Sequence, residues 1–411
     1  MRGSDNWVVA YVETDVRLGH GETMFQLYVP TLLSFGWKVI LLAYDAQASM
    51  RWLSSAWPQY ESNVWIIPIP PKAGGYSSSE YWQLIQSKIM EAETASGWAV
   101  DLAFLTWFDG LRPPRKQIRS CLGVLAYPWV GMYFTPGHLR FGTQMSWLQR
   151  LKCIVADYRL FSQPECRGLG ILDEGVKTPL RWLLRGKPVV VFPEATDSLA
   201  AATKEIAEIR LKAGGRLIVG LLGHLAPRKG VLNFLRAATA FDEQEVFFLM
   251  AGELERAWFS PSEQTELEQL LQSLGPENGY FHLQRIAEAS EFNAFFELCD
   301  VHCLVYNDFY HSSGLLAKAA ISEKPVIVAQ GHCMGERVEK FGLGLTVPAN
   351  DPGRLQAAIK HLVKSGTKEK FRLAGGFAAY RASNAPHLLE DSLKRLCGPL
   401  APLGSSSQLK T

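Results

Sequence analysis

The feature that most constrains this chain is a twofold alternation of short apolar runs with helical patterns. In the first half, NWVVAYVE (6–13), WKVILLAYD (37–45), VWIIPIP (64–70), VDLAFLTWF (100–108), CLGVLAYPW (121–129) and KPVVVFPE (187–194) read as strands buried on both faces. Amphipathic stretches such as 22–35 and 79–96 lie between some of them. The pattern restarts with RLIVGLLGHL (216–225), EVFFLMAGEL (245–254), YFHLQRI (280–286), VHCLVY (301–306), KPVIVAQ (324–330) and GLGLTVP (342–348). Near-continuous apolar strands separated by helices imply parallel sheets covered on both faces, an α/β class.

The chain therefore reads as two doubly wound domains, 1–195 and 196–385, with helices at 351–364, 368–382 and 387–396. The last of these belongs to a C-terminal segment, 386–411, that ends in a polar, disordered tail. The polar stretch PEATDSLAAATKE (193–205) marks the boundary. Ligands of open α/β sheets bind beyond the carboxyl ends of the strands, so the loops after the strands, facing an interdomain cleft, are where the chemistry belongs.

Composition excludes several classes. With 47% hydrophobic and 20% charged residues the chain can bury large cores. A net charge of +2 gives no argument for nucleic acid. No apolar run reaches membrane-spanning length, and seven scattered cysteines without a CxxC pair suit a reducing, cytoplasmic compartment. The charge is uneven, however. Residues 111–190 hold 13 Lys and Arg against 4 Asp and Glu, together with Trp129, Trp147 and Trp182. That segment is a solvated surface or a face for a phosphate-bearing acceptor or for anionic lipid, the last making the protein peripheral at the inner face of a membrane.

Four loops carry candidate chemistry. In LLGHLAPRKGVLNFLRAA (221–238), Arg228 and Lys229 stand at the mouth of a helix, where N–H groups and cations together suit a diphosphate. In CDVHCLVYNDFYHSSGLLAKAAISEKPVIVAQ (299–330), Tyr310, Ser312, Ser313 and Gly314 precede a helix and offer hydroxyls and N–H groups to a sugar or phosphate. In VETDVRLGHGETMFQLY (12–28), Gly19 lets a substrate approach the backbone, and His20 is a candidate donor or base near neutral pH, or a histidine that merely satisfies its loop. In FLTWFDGL (104–111), Asp109 follows a strand and is either a sugar-binding carboxylate or base, or a helix cap. LMAGELE (249–255) adds a strand ending in Ala-Gly, and Glu194 approaches the domain crossover. There is no HExxH, no GxxxxGK[ST] and no GxSxG, and the nearest GxGxxG, GHGETM (19–24), lacks its last glycine.

The ordered set GHLAPRKG, LMAGE, CDVHCLVY…SSGLLAKAAISEKPVIV and GERV…GLGLTVPANDPGRLQAAI resembles the donor domain of GT-B glycosyltransferases, particularly glycosyltransferase family 4, over about 215–365. The resemblance implies a nucleotide-diphosphate sugar as donor substrate, no cofactor and no metal, and retention at the transferred centre. It implies a glycan, lipid-linked or small-molecule acceptor held by the N-terminal domain. His20, Asp109 and Lys229 are then the catalytic candidates. Gly19, His224, Arg228, Lys229, Glu253, Ile286, Tyr310, Ser312, Ser313, Gly314 and Lys318 are the donor-binding ones. The family's diphosphate arginine is replaced by His224, with Arg228 able to supply the charge. Its two glutamates, eight positions apart, are replaced by Tyr310 and Lys318. A carboxylate accepts bonds from ribose hydroxyls, whereas an ammonium only donates. The exchange leaves two readings beside transferase: a nucleotide-sugar-binding protein of the same fold without turnover, or a nucleotide-sugar epimerase.

Overall fold

The alternation resolves into two all-parallel sheets in the computed structural model, which describes residues 6–13, 20–72, 75–114, 117–194, 196, 199–241, 245–364, 371 and 375–399, with the backbone alone for 20–23. The chain divides into one unit of Met1–Pro193 with Pro386–Thr411 and a second of Glu194–Ala385.

The first unit holds seven strands: β1 (Val8–Val12), β2 (Lys38–Ala43), β3 (Val64–Pro68), β4 (Leu102–Leu105), β5 (Trp129–Tyr133), β6 (Cys166–Ile171) and β7 (Val189–Val191), in the order β3-β2-β1-β4-β5-β6-β7. β1 and β4 are buried at every residue, as strands covered on both faces must be. β1 pairs with β2 from Val8 opposite Lys38 and with β4 from Val9 opposite Leu102, so the winding reverses between β1 and β4. Helix ends carry local signals. The helix Ser78–Ser96 starts on a capping box made by Ser77 and Glu80 and stops at Gly97 in the left-handed region. The C-terminal helix Pro386–Cys397 returns to this unit, burying Leu389, Leu393 and Leu396, while the Trp7 indole N–H donates to the Cys397 carbonyl at 2.9 Å.

The second unit holds β8 (Leu217–Leu222), β9 (Val246–Ala251), β10 (Gly279–His282), β11 (Val301–Leu304), β12 (Val326–Ala329) and β13 (Gly344–Val347), in the order β10-β9-β8-β11-β12-β13. Here the winding reverses between β8 and β11. The amphipathic helix Val231–Ala238, after β8, lies on one face with Pro352–Val363. Gly314–Ile321, after β11, lies on the other with Gly376–Ser383.

One expectation needs correction, and one strand goes unread. The run 121–129 is not a strand: a helical turn, Ile118–Cys121, precedes it, and β5 begins at Trp129. β6, CRGLGI, goes unread in the sequence because its Arg167 and two glycines hide the apolar pattern. The expected helix 368–382 is described as Gly376–Ser383, its start lying largely outside the described residues. Among the described residues no helix is long and apolar enough to cross a membrane.

Candidate functional site

In the second unit the loops after β8, β9 and β11 meet backbone to backbone. Gly252 has φ 137°, and a Cβ there would stand 2.0 Å from the Gly223 carbonyl oxygen. Gly230 has φ 75°, and its Cβ would stand 2.3 Å from the Val305 carbonyl oxygen. Only glycine meets both the torsion and the approach. Asn307 fastens the loops further, its N–H donating to the Arg228 carbonyl at 2.8 Å and its side-chain amide to the Pro227 carbonyl at 3.2 Å.

Lys229 ends the single 3-10 turn Pro227–Lys229 and is buried. Its Nζ donates to the Tyr306 hydroxyl at 2.7 Å and lies 4.0 Å from the centre of that ring. Burial, with a smaller push from the neighbouring Arg228 guanidinium, brings the ammonium down to about 7. Arg228 is exposed, with its guanidinium 5.7 Å from the Phe309 ring centre. His224, which stands where the family's arginine would be, has its Nε2 3.2 Å from Glu255 Oε1 and its ring packed on Trp258.

The helix Gly314–Ile321 opens beside this lysine. A Cβ on Gly223 would lie 3.6 Å from Leu315 and 3.9 Å from Lys229 Nζ, so that glycine stands between the two. Ser313 occupies the cap position without bonding a helix N–H, and its side chain is hydrogen-bonded to Tyr306 instead. The first turn of a helix has N–H groups with no partner inside the helix, and they carry partial positive charge. Gly314 has an ordinary φ and open space where a Cβ would go, so the fold itself does not demand glycine there. Ser312 accepts from Arg337 Nη1 at 2.5 Å; Arg337 is buried 3.4 Å from Glu194 and 3.5 Å from the Tyr380 hydroxyl. Arg337 was missed from sequence. The GERV stretch that contains it was the available signal, but nothing in its spacing shows which loop it braces.

The two replaced glutamate positions part company. Tyr310 points its hydroxyl to Asp308 at 3.5 Å and its ring edge to His332 at 4.6 Å between centres. Lys318 is buried; its Nζ donates to Asn293 Oδ1 at 2.6 Å, and the Asn293 amide donates to the Leu199 carbonyl at 2.9 Å. Lys318 thus turns onto the adjacent helix Ala289–Leu298, where a neutral amide supplies its acceptor. Glu253 contributes its backbone, accepting from the Leu225 N–H at 2.8 Å, and Ile286 packs half-buried on the core beyond β10.

In the first unit, Gly19 and the His20 side chain lie outside the described residues; the helix His20–Ser34 begins at that histidine. Asp109 is not the cap of its helix, whose cap position is Trp107. Its carboxylate accepts from the Phe134 N–H at 2.8 Å, from the Thr135 N–H at 2.7 Å and from the Thr135 hydroxyl, holding the turn after β5. Glu13, at the end of β1 where the winding reverses, was missed. Its carboxylate accepts from the Tyr44 N–H at 3.0 Å. Its carbonyl accepts from the Tyr81 hydroxyl, itself bonded by Tyr44 at 2.8 Å. Burial raises this carboxyl to about 6 against the pull of the Tyr44 bond, with Asp45 adding to the rise. An acid closing the first strand was the available signal.

Residues 202–375 match the family model described as Glycosyl transferases group 1. Among solved structures, sucrose-phosphate synthase from Thermosynechococcus elongatus is similar at TM-score 0.67 and 16% identity, with 95% of this chain and 98% of that one covered. Anabaena HepE in complex with UDP-glucose is similar at 0.63 and 16%, covering 95% and 100%. An α,α-trehalose-phosphate synthase (UDP-forming) from Burkholderia vietnamiensis is similar at 0.62 and 14%, covering 94% and 98%. No curated protein matches the sequence. The second unit is therefore a glycosyltransferase domain, and the chain has the GT-B fold of two Rossmann-like units.

Proposed function

We propose that this chain, whose C-terminal unit is a Glycosyl transferases group 1 domain, moves a sugar from a nucleoside-diphosphate sugar to a glycan, lipid-linked or small-molecule acceptor. The observation that carries the reading is the buried Lys229 beside the uncapped start of Gly314–Ile321, at the point where the winding of the second sheet reverses. As the bond from the sugar to the diphosphate breaks, negative charge grows on the leaving phosphate. In this reading Lys229, Arg228 and the helix N–H groups meet it with charge and donors. Those cations support a metal-independent transfer, and the family resemblance supports retention. UDP-sugars are the first donors to try, since HepE is solved with UDP-glucose and the Burkholderia synthase is described as UDP-forming. On the acceptor side, Glu13 is a carboxyl able to bond an incoming hydroxyl. The test is release of UDP from a panel of UDP-sugars with mixed acceptors. Wild type turns over with and without EDTA, and Lys229→Ala abolishes it. Full transfer and full UDP affinity in Lys229→Ala would overturn the assignment.

One observation favours a second reading, a binding protein without turnover: the two positions that bear carboxylates in relatives hold Tyr310 and a Lys318 that donates a hydrogen bond to Asn293. Calorimetric binding of a nucleotide sugar with no product across the acceptor panel would select it.

A further inference from the structure

Most of the exposed large apolar residues of the first unit fall between 141 and 182. Phe141 is 89% exposed, Trp147 71% and Trp182 74%, with Leu148, Leu151 and Tyr158 also open to solvent. Tryptophan is a side chain that proteins ordinarily bury in large part. At about 100° per residue, Trp147, Leu148, Leu151 and Tyr158 fall within one sector of about 100° on the helix Trp147–Phe161. The buried face of that helix, Ala156, Asp157, Leu160 and Phe161, lies on its other side. Two of its cations, Lys152 and Arg159, stand along one margin of the apolar stripe, and Arg150 lies about 60° beyond the other, toward the preceding loop.

The stripe continues on both flanks. The Arg150 guanidinium lies 5.6 Å from the Phe141 ring centre, tying the preceding loop to the helix. Arg185 reaches the Tyr158 hydroxyl at 3.4 Å, joining the helix to the end of Lys177–Leu183, which presents Trp182. Beside Trp182's helix is a cleft of about 380 Å³ to which Lys177, Arg181, Lys187 and Arg395 contribute. Two of the four acids between 111 and 190 are withdrawn from this surface: Asp157 is buried against Arg112 and Asp173 against Arg140. What faces water is an apolar ridge edged by positive charge.

We infer that this face docks on an anionic phospholipid bilayer. The tryptophans and leucines enter the boundary between headgroups and acyl chains, and Arg150, Lys152, Arg159 and the cleft cations meet the phosphates. An amphipathic helix with aromatic and leucine residues beside a row of cations is the pattern that lies in a membrane interface. Charge decides against a second copy of the chain, because a twofold interface would set this cationic face against itself. The inference does not depend on the sugar or the acceptor.

The test is sedimentation of the full chain with vesicles of phosphatidylcholine and phosphatidylglycerol, against phosphatidylcholine alone, at low and high salt. Binding is expected only with the anionic lipid and weakens about tenfold or more at high salt. The exposed pair Trp147→Ser and Trp182→Ser, checked for an unchanged melting temperature, binds about tenfold or more weakly and loses quenching by brominated lipid. Lys152→Glu with Arg159→Glu loses the salt-sensitive part. Sedimentation independent of anionic lipid overturns the inference, as does unchanged binding in the tryptophan variant. A dimer that this variant dissociates, with no vesicle binding in wild type, also overturns it.

Discussion

Lys229 should make nucleotide affinity depend on pH in a calculable way. With the ammonium at about 7 in the free protein, about half of the molecules carry the proton at pH 7, about a tenth at pH 8 and about a hundredth at pH 9. A diphosphate beside Nζ favours the charged form and raises the pKa on binding. The terminal phosphate of UDP, with an ionisation near 6, keeps a nearly constant charge over this range. Binding at pH 8 therefore takes up about 0.9 proton, and affinity falls about fivefold from pH 7 to 8 and about tenfold more to pH 9 while the complex stays protonated. Calorimetry of UDP binding in buffers of different ionisation enthalpy reads the uptake directly. Lys229→Met should flatten the pH profile. Arg228→Met, which removes a permanent charge, should weaken binding but keep the slope. Proton uptake near zero at pH 8 in wild type, or the same uptake in Lys229→Met, would refute the reasoning.

Three further outcomes are expected. Gly314→Ala should leave the melting temperature unchanged or raise stability by about 0.5–1 kcal/mol, since a Cβ there meets nothing, yet weaken UDP binding by crowding the helix start; unchanged affinity would show that no ligand approaches it. Lys318→Met should cost about 1–3 kcal/mol in denaturant unfolding by removing the ammonium that donates to the buried Asn293 oxygen, and a neutral effect would mean the bond is dispensable. His302 is wholly buried in β11, stacked on Phe296, and burial lowers its ring to about 3. The unfolded chain takes up this proton near pH 6.5 while the folded one does not. The stability it allows is complete above about 6.5 and declines by about 3 kcal/mol on going to pH 4. Unfolding midpoints of His302→Phe should fall less steeply over that window; identical slopes would exclude the histidine as the cause.

Much of the second unit was legible in the sequence because its strands are continuous apolar runs and its loops carry glycines where the backbones touch. Gly230 and Gly252 are required by sterics that any side chain would violate, so they appear as motif letters. β6 was not legible: its burial comes from neighbours on both sides, and CRGLGI has too few apolar side chains to announce it. Asp109 looked the same as a ligand-binding carboxylate would, and only the position of residues 134–135, distant in sequence, showed that it holds a turn.

The sequence by itself determined the fold class and the cations at 228 and 229, because these depend on short-range pattern: hydrophobic period, strand-loop-helix order and glycine placement. Tertiary structure decided what each polar side chain bonds. Lys318, read from the sequence as a ligand-facing residue, was given Asn293 as a partner, 25 residues away in sequence. Glu13 gained its raised pKa from burial beside Tyr44 and Tyr81. Burial and partner identity are set by packing between distant segments, and no local spacing encodes them.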